Sequence, residues 1–166
     1  GKGLEGGVVS YYTGGWVQNA AVTDANGMAV LTLPEGKSAT AVAVNYKSGY
    51  VKINQRMSDN PVYSFTTVPV TVKLLSSAGG ELAGSVTHYG TAVGGWLGFG
   101  DNGEGAANAT MEMLEQAYTF QANYKGALQS QKVTVSGPTQ VTFTTRAFTF
   151  RLLDSKGAPL AGTANF

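Results

Sequence analysis

Residues 61–75 read PVYSFTTVPVTVKLL, and the parity of their apolar side chains changes midway. Tyr63 and Phe65 are odd-numbered, whereas Val68, Val70, Val72 and Leu74 are even-numbered. Successive side chains of a strand point to opposite faces, so one continuous strand would turn half of these groups outward. Two strands meeting near Thr67 remove the conflict. Pro69 fits that reading, because a missing N–H is tolerated at a strand's start. The stretch therefore predicts the end of one β-unit and the immediate start of the next. A joint that short makes a restrained rod, where a Gly/Ser linker would make flexible beads.

The slip recurs downstream, with Val141 and Phe143 odd and Phe148, Phe150 and Leu152 even. Leu4, Leu82 and Leu160, each opening an L-x-G triplet, are spaced by 78 residues. Tyr11 and Tyr89, Asn45-Tyr46 and Asn123-Tyr124, and Phe65-Thr66-Thr67 and Phe143-Thr144-Thr145 keep that spacing. Trp16 and Trp96 are 80 apart, as are Leu31/Leu33 and Met111/Met113, because TGGW becomes TAVGGW. The two extra residues are returned before Tyr118. Compensated changes inside a fixed period predict a tandem array. Its units are residues 1–67 (lacking a first strand), 68–145 (complete) and 146–166 (the first strands of a third).

Composition narrows the class. The 166 residues carry 11 Lys and Arg against 10 Asp and Glu, with 13% charged residues, so no nucleic acid or anionic membrane is expected as partner. No apolar run approaches a membrane span, and no signal peptide is present, which says nothing about a longer parent. The absence of cysteine excludes disulfides and thiolate metal sites. The 23 glycines, spread between runs rich in Val, Thr, Tyr and Phe, indicate a turn-rich all-β protein.

Alternation is clearest in Tyr118–Tyr124 and its counterpart Thr40–Tyr46, whose even positions carry the larger apolar groups. MEMLEQA, residues 111–117, has helix-forming composition, but it is short and aligns with a strand-like segment. About seven short strands per unit predict tandem β-sandwiches of immunoglobulin-like or prealbumin-like type. TDANGMAVLTLPEG (23–36), following a unit start of the form V-x-V-x-L-L-x-S-x-G-x-x-L-A-G, resembles the Cna-B and carboxypeptidase-regulatory-like domains of bacterial surface proteins. The resemblance implies an extracellular or cell-surface stalk or adhesin module.

Candidate sites are few. Trp16 and Trp96 each follow Gly-Gly, with Tyr12 and Tyr89 nearby. Such groups either stack on a sugar ring or plug one end of the core, and the core reading is favoured here. Asp24 and Asn26, and Asp101 and Asn102, are oxygen ligands in type, yet the pattern does not repeat in place and reads as Asx turns. His88, the single histidine, falls opposite Ser10 at the 78-residue spacing and is expected at the surface. No nucleophile elbow, phosphate loop or recurring carboxylate pair is present, so no enzyme activity and no cofactor are expected.

The resemblance also implies an internal Lys–Asn or Lys–Asp cross-link. Lys73 lies in the right strand, but Gln140–Thr145 offers no Asn or Asp and Phe120–Tyr124 no carboxylate. No cross-link is expected, and Lys73 is expected to point to solvent. The resulting expectation is a non-catalytic spacer whose partners are neighbouring units. Two alternatives stand beside it: a carbohydrate-binding module using the Gly-Gly-Trp region, with a glycan or protein receptor, and an accessory domain of a secreted hydrolase. Residues 146–166 are expected to pair with an exposed strand edge, in the same chain or head-to-tail with a neighbour.

Overall fold

The computed structural model describes residues 2–57, 62–90, 94–100 and 102–163. Among them there is no helix and there are eleven strands in three sheets, a β-sandwich-like architecture. Residues 111–114, read above as strand despite their helix-forming composition, lie in a strand.

The N-terminal sheet contains β1 (Val8–Tyr12), β2 (Trp16–Val22), β3 (Ala41–Tyr46) and β4 (Gly49–Ile53), in the order β2-β1-β3-β4. The next seven strands split into two sheets. β6 (Ser85–Gly90), β7 (Gly95–Gly98), β9 (Ala117–Tyr124) and β10 (Ala127–Thr134) pair as β10-β9-β6-β7. β5 (Thr67–Leu75), β8 (Ala109–Leu114) and β11 (Thr139–Thr144) pair as β11-β5-β8, with β5 in the middle and parallel to β11.

The change of parity at residues 61–75 has its structural counterpart here. β5 begins at Thr67 and turns Val70, Val72 and Leu74 inward, all buried. They meet Met111 and Met113 of β8 and Val141 and Phe143 of β11 on one side of the core, with Val86, Tyr118, Phe120 and Ala122 opposite. Burying each such side chain contributes about 1.5–3 kcal/mol. Phe99 fills the gap between the sheets, edge-on to Phe120 at 5.9 Å.

Backbone geometry follows the sequence spacing closely at one hairpin. Leu82 N donates to Leu74 O at 2.9 Å and Leu160 N to Leu152 O at 2.8 Å. Ser76 and Asp154 donate in the same way to Gly80 and Ala158, and the bridges Leu75↔Glu81 and Leu153↔Pro159 complete the match. Elsewhere the spacing shifts by one residue. Val9 pairs with Val44, and Val86 with Ala122, so β1 and β6 correspond at a spacing of 77. The extra residue lies in Gly6-Gly7, where the other stretch has only Gly84. Tyr12, not Tyr11, is therefore the counterpart of Tyr89, and Tyr11 that of His88.

The counterparts of β8 and β11 in the first stretch, residues 29–34 and 62–66, belong to no strand. Ala29, Leu31, Tyr63 and Phe65 nonetheless pack against the smaller core of Val9, Val42, Val44 and Tyr46.

Candidate functional site

Two surfaces carry side chains that fold stability alone does not explain. The first is the outer face of each four-stranded sheet. Trp16 opens β2 directly across from Tyr12, and Trp96 lies in β7 directly across from Tyr89. Both ring pairs have centroids 5.7 Å apart, at interplanar angles of 65° and 57°. The expectation that these tryptophans plug the core is overturned: Trp16 is 36% exposed and Trp96 46%. Strand alternation explains it, because Val86 and His88 face the core and Tyr89, with its cross-strand partner Trp96, must then face out. The glycines before each Trp make turns, with Gly14 at φ 88° and Gly94 at φ 66°. None of Gly14, Gly15, Gly94 and Gly95 has another atom within 4 Å of a would-be Cβ, so none makes room for a ring.

Around Trp96 and Tyr89 the same face carries Thr119 and Lys132, and one row further Thr87, Gln121 and Ser130. Gln121 Nε2 donates to Ser130 Oγ at 3.1 Å. Around Trp16, Lys52 Nζ sits 5.8 Å from the indole centroid, a cation–π contact. The Trp96 face thus combines an exposed aromatic pair with amide, hydroxyl and ammonium groups, the chemistry that grips a sugar's C–H face and its hydroxyls, and the Trp16 face pairs its aromatics with an ammonium.

The second surface is where the first stretch meets the second. The turn Tyr46-Lys47-Ser48-Gly49 closes the β3–β4 hairpin with Lys47 at φ 43° and Ser48 at φ 63°, a two-residue turn of type I′. Its tip is driven against the end of the sheets formed by β5–β11. Tyr50 N donates to Gln116 Oε1 at 3.0 Å, and His88 Nε2 donates to the Lys47 carbonyl at 3.2 Å. Gly49 and Gly90 allow the approach: a Cβ on Gly49 would overlap the Tyr118 hydroxyl, and one on Gly90 the Ser48 carbonyl. Leu114 belongs to the first core although it lies in β8. A cleft of about 220 Å³ beside the joint is lined by Val51, Ile53, Phe65 and Leu114, together with Ser64, Thr66 and Glu115.

His88 corrects the sequence reading. It is 1% exposed, edge-on to Phe99 at 6.0 Å and Tyr118 at 6.3 Å. Burial pushes its pKa below the usual value, the Lys47 carbonyl opposes that shift, and the Lys47 charge adds to it. The sequence did hold a signal, since His88 shares the parity of Val86. Burial also pushes the Tyr118 hydroxyl upward, and it donates to Leu114 O at 2.9 Å.

The remaining described candidates lie in turns. Asp24 Oδ1 accepts from Asn26 N and Met28 N, both at 2.9 Å, an Asx turn in which Gly27 has φ 74°. The Met28 amide is the chief reason why its carboxyl titrates below the usual range. Asn102 N donates to Glu104 Oε2 at 2.9 Å, and Asp101 lies outside the described residues. Among the described residues no three His, Cys, Asp or Glu side chains gather. Lys73 Nζ pairs with Glu81 at 2.7 Å on the surface. No protein-family model matches the chain, and no curated protein matches it.

Proposed function

We propose that the chain is part of a tandem β-sandwich array acting as a non-catalytic spacer of a bacterial cell-surface or secreted protein. Its units are residues 1–67 and 68–145, with residues 146–166 opening a third. The joint carries this reading. The Tyr46–Gly49 tip is largely buried against the second unit, whereas the matching tip, Lys125-Gly126-Ala127, is exposed. The short joint restrains bending, and such docking holds the angle that the joint alone leaves adjustable. Of the two sandwich types expected, the strand partition favours the prealbumin-like one. A constant-type immunoglobulin sheet would join the first, second, fourth and fifth strands. Here the first, fourth and seventh strands of the second unit share a sheet.

Distances between spin labels on β2 and β10 test the proposal. One narrow distribution is expected, broadened by a Gly-Ser spacer inserted between Thr67 and Val68. A broad distribution in the unmodified chain would replace the rod with beads.

A second reading rests on a separate observation, the recurrence of an exposed Tyr–Trp pair at one structural position in both units. It makes the outer sheet faces glycan-binding platforms, and the spacer an adhesin. Indole fluorescence during titration with soluble glycans tests it.

A further inference from the structure

We propose that the aromatic platform on the β10-β9-β6-β7 sheet binds acidic glycans, Lys132 taking a sugar carboxylate while Tyr89 and Trp96 carry a sugar ring. This deepens the glycan reading above and rests on it. The chain's near-neutral balance conceals a separation of charge. None of the ten Asp and Glu residues falls within β1–β4, β6, β7, β9 or β10, the strands of the two four-stranded sheets. The formally charged residues in those strands are Lys52 and Lys132 alone. Strands disfavour Glu and Lys alike, so propensity does not explain why only lysines are kept.

The three-stranded sheet differs. There Lys73 of β5 pairs with Glu81 at 2.7 Å, and β8 carries Glu112. Among the described residues no carboxylate pairs with Lys52 or Lys132. Each of these lysines instead shares a sheet face with an exposed tryptophan. In both four-stranded sheets the tryptophan lies on one edge strand and the lysine on the other. The two lysines are not at equivalent positions, since Lys52 is level with Ser10 and Lys132 with Tyr89. What recurs is the chemistry, an aromatic surface beside an ammonium.

Trp96, Tyr89, Thr119 and Lys132 form one row across four strands. Lys132 stands two strand spacings from Tyr89, about 10 Å, and an extended lysine reaches back over part of that gap. On the other sheet such a reach is realised. Lys52 Nζ lies 5.8 Å from the Trp16 centroid, although β1 and β3 run between their strands. A glycan laid along the row from the aromatic corner crosses Thr119, the shortest side chain of the four, with Gln121 and Ser130 beside it. A ring face meets the aromatics, hydroxyls meet the Thr, Gln and Ser groups, and a carboxylate meets Lys132. An exposed ion pair is weak, so the lysine sets preference while stacking and hydrogen bonds supply affinity.

Calorimetric titration with matched hexasaccharides tests the inference. The probes are galacturonate chains and chains of alternating glucuronate and N-acetylglucosamine, each as free acid and as methyl ester, with neutral cellohexaose beside them. Trp16→Ala removes the other platform, so that the Trp96 face is read by itself. In that background the free acid of at least one probe should bind about threefold or more tightly than its ester, a preference that shrinks in high salt. Adding Lys132→Met should bring the ratio to about one, and Lys132→Arg should keep it. Adding Trp96→Ala should abolish binding of both forms. Trp96 and Lys132 are exposed, so circular dichroism of these variants should match the parent. Equal binding of acid and ester, a preference that survives Lys132→Met, or binding of cellohexaose alone would overturn the inference and leave the glycan reading standing. Binding of no probe, or binding that survives Trp96→Ala, would overturn both.

Discussion

Gly90 lies against the carbonyl of Ser48, so close that a methyl group on residue 90 would overlap that oxygen. The two residues belong to different sheets, Gly90 to β6 and Ser48 to the β3–β4 turn, and their approach sets how those sheets meet. Overpacking of this kind costs about 1–3 kcal/mol, since backbone on both sides must move. Gly90→Ala should therefore destabilise the chain by that amount in urea and broaden the inter-unit label distance. Gly49→Ala, whose new methyl would meet the Tyr118 hydroxyl and Leu114, should act alike. Gly95→Ala is the control. Nothing lies within 4 Å of its would-be Cβ, and its stability should stay within about 0.5 kcal/mol of the parent.

His88 makes the same joint sensitive to acid. Its folded pKa is depressed by burial from the usual 6.5. As pH falls through that value the unfolded chain takes up a proton that the folded chain refuses. The unfolded state then binds more protons, and stability falls with falling pH. The stability difference between the parent and His88→Phe, measured from pH 8 to pH 5, should change in favour of the variant below about 6.5. A difference independent of pH would mean that the imidazole titrates alike in both states.

How far the fold was legible follows from these elements. The parity change at residues 61–75 placed the start of β5, and alternation placed β3, β8 and β9. Those are local signals, set by one strand's own pleat. The one-residue shift between β1 and β6 was not legible, because Tyr11 and Tyr89 coincide in letter at a spacing that strand pairing rejects. The exposed tryptophans were misread for a related reason. A ring's size argues for burial, but the face it occupies is decided by its cross-strand partner. His88 was read from its chemistry, when its parity with Val86 was the better guide. The docking of the Tyr46–Gly49 tip needed tertiary structure, since nothing in a two-residue turn says what it touches.

The paired aromatics give the sharpest test of the glycan reading. Trp16 and Trp96 are half exposed and belong to neither core. Trp16→Ala and Trp96→Ala should each change stability by less than about 1 kcal/mol, well below the 3–5 kcal/mol of a core aromatic. If the platforms bind glycans, the double variant should lose binding on an array while its melting temperature shifts by only a few degrees. Loss of binding accompanied by unfolding would return the rings to a structural role.

Ser48 is the least comfortable residue of the joint, and its replacement tests whether docking there is optimised. It holds φ 63° in a turn whose counterpart, Gly126, adopts φ 89° without a side chain. A side chain in the left-handed region costs about 1 kcal/mol. The Ser48 hydroxyl is also buried without a hydrogen-bond partner among the described residues, which costs about 1–3 kcal/mol. Ser48→Gly removes both penalties. Against this stands the greater freedom of glycine in the unfolded chain, about 0.4–1 kcal/mol. The balance favours the variant by about 1 kcal/mol or more, a rise of roughly 2–4 °C in Tm for a chain of this size. Ser48→Ala separates the causes, because it removes the hydroxyl and keeps the backbone strain. It should recover only part of the gain. A lower Tm for Ser48→Gly would show that the serine side chain contributes packing at the joint that outweighs both penalties.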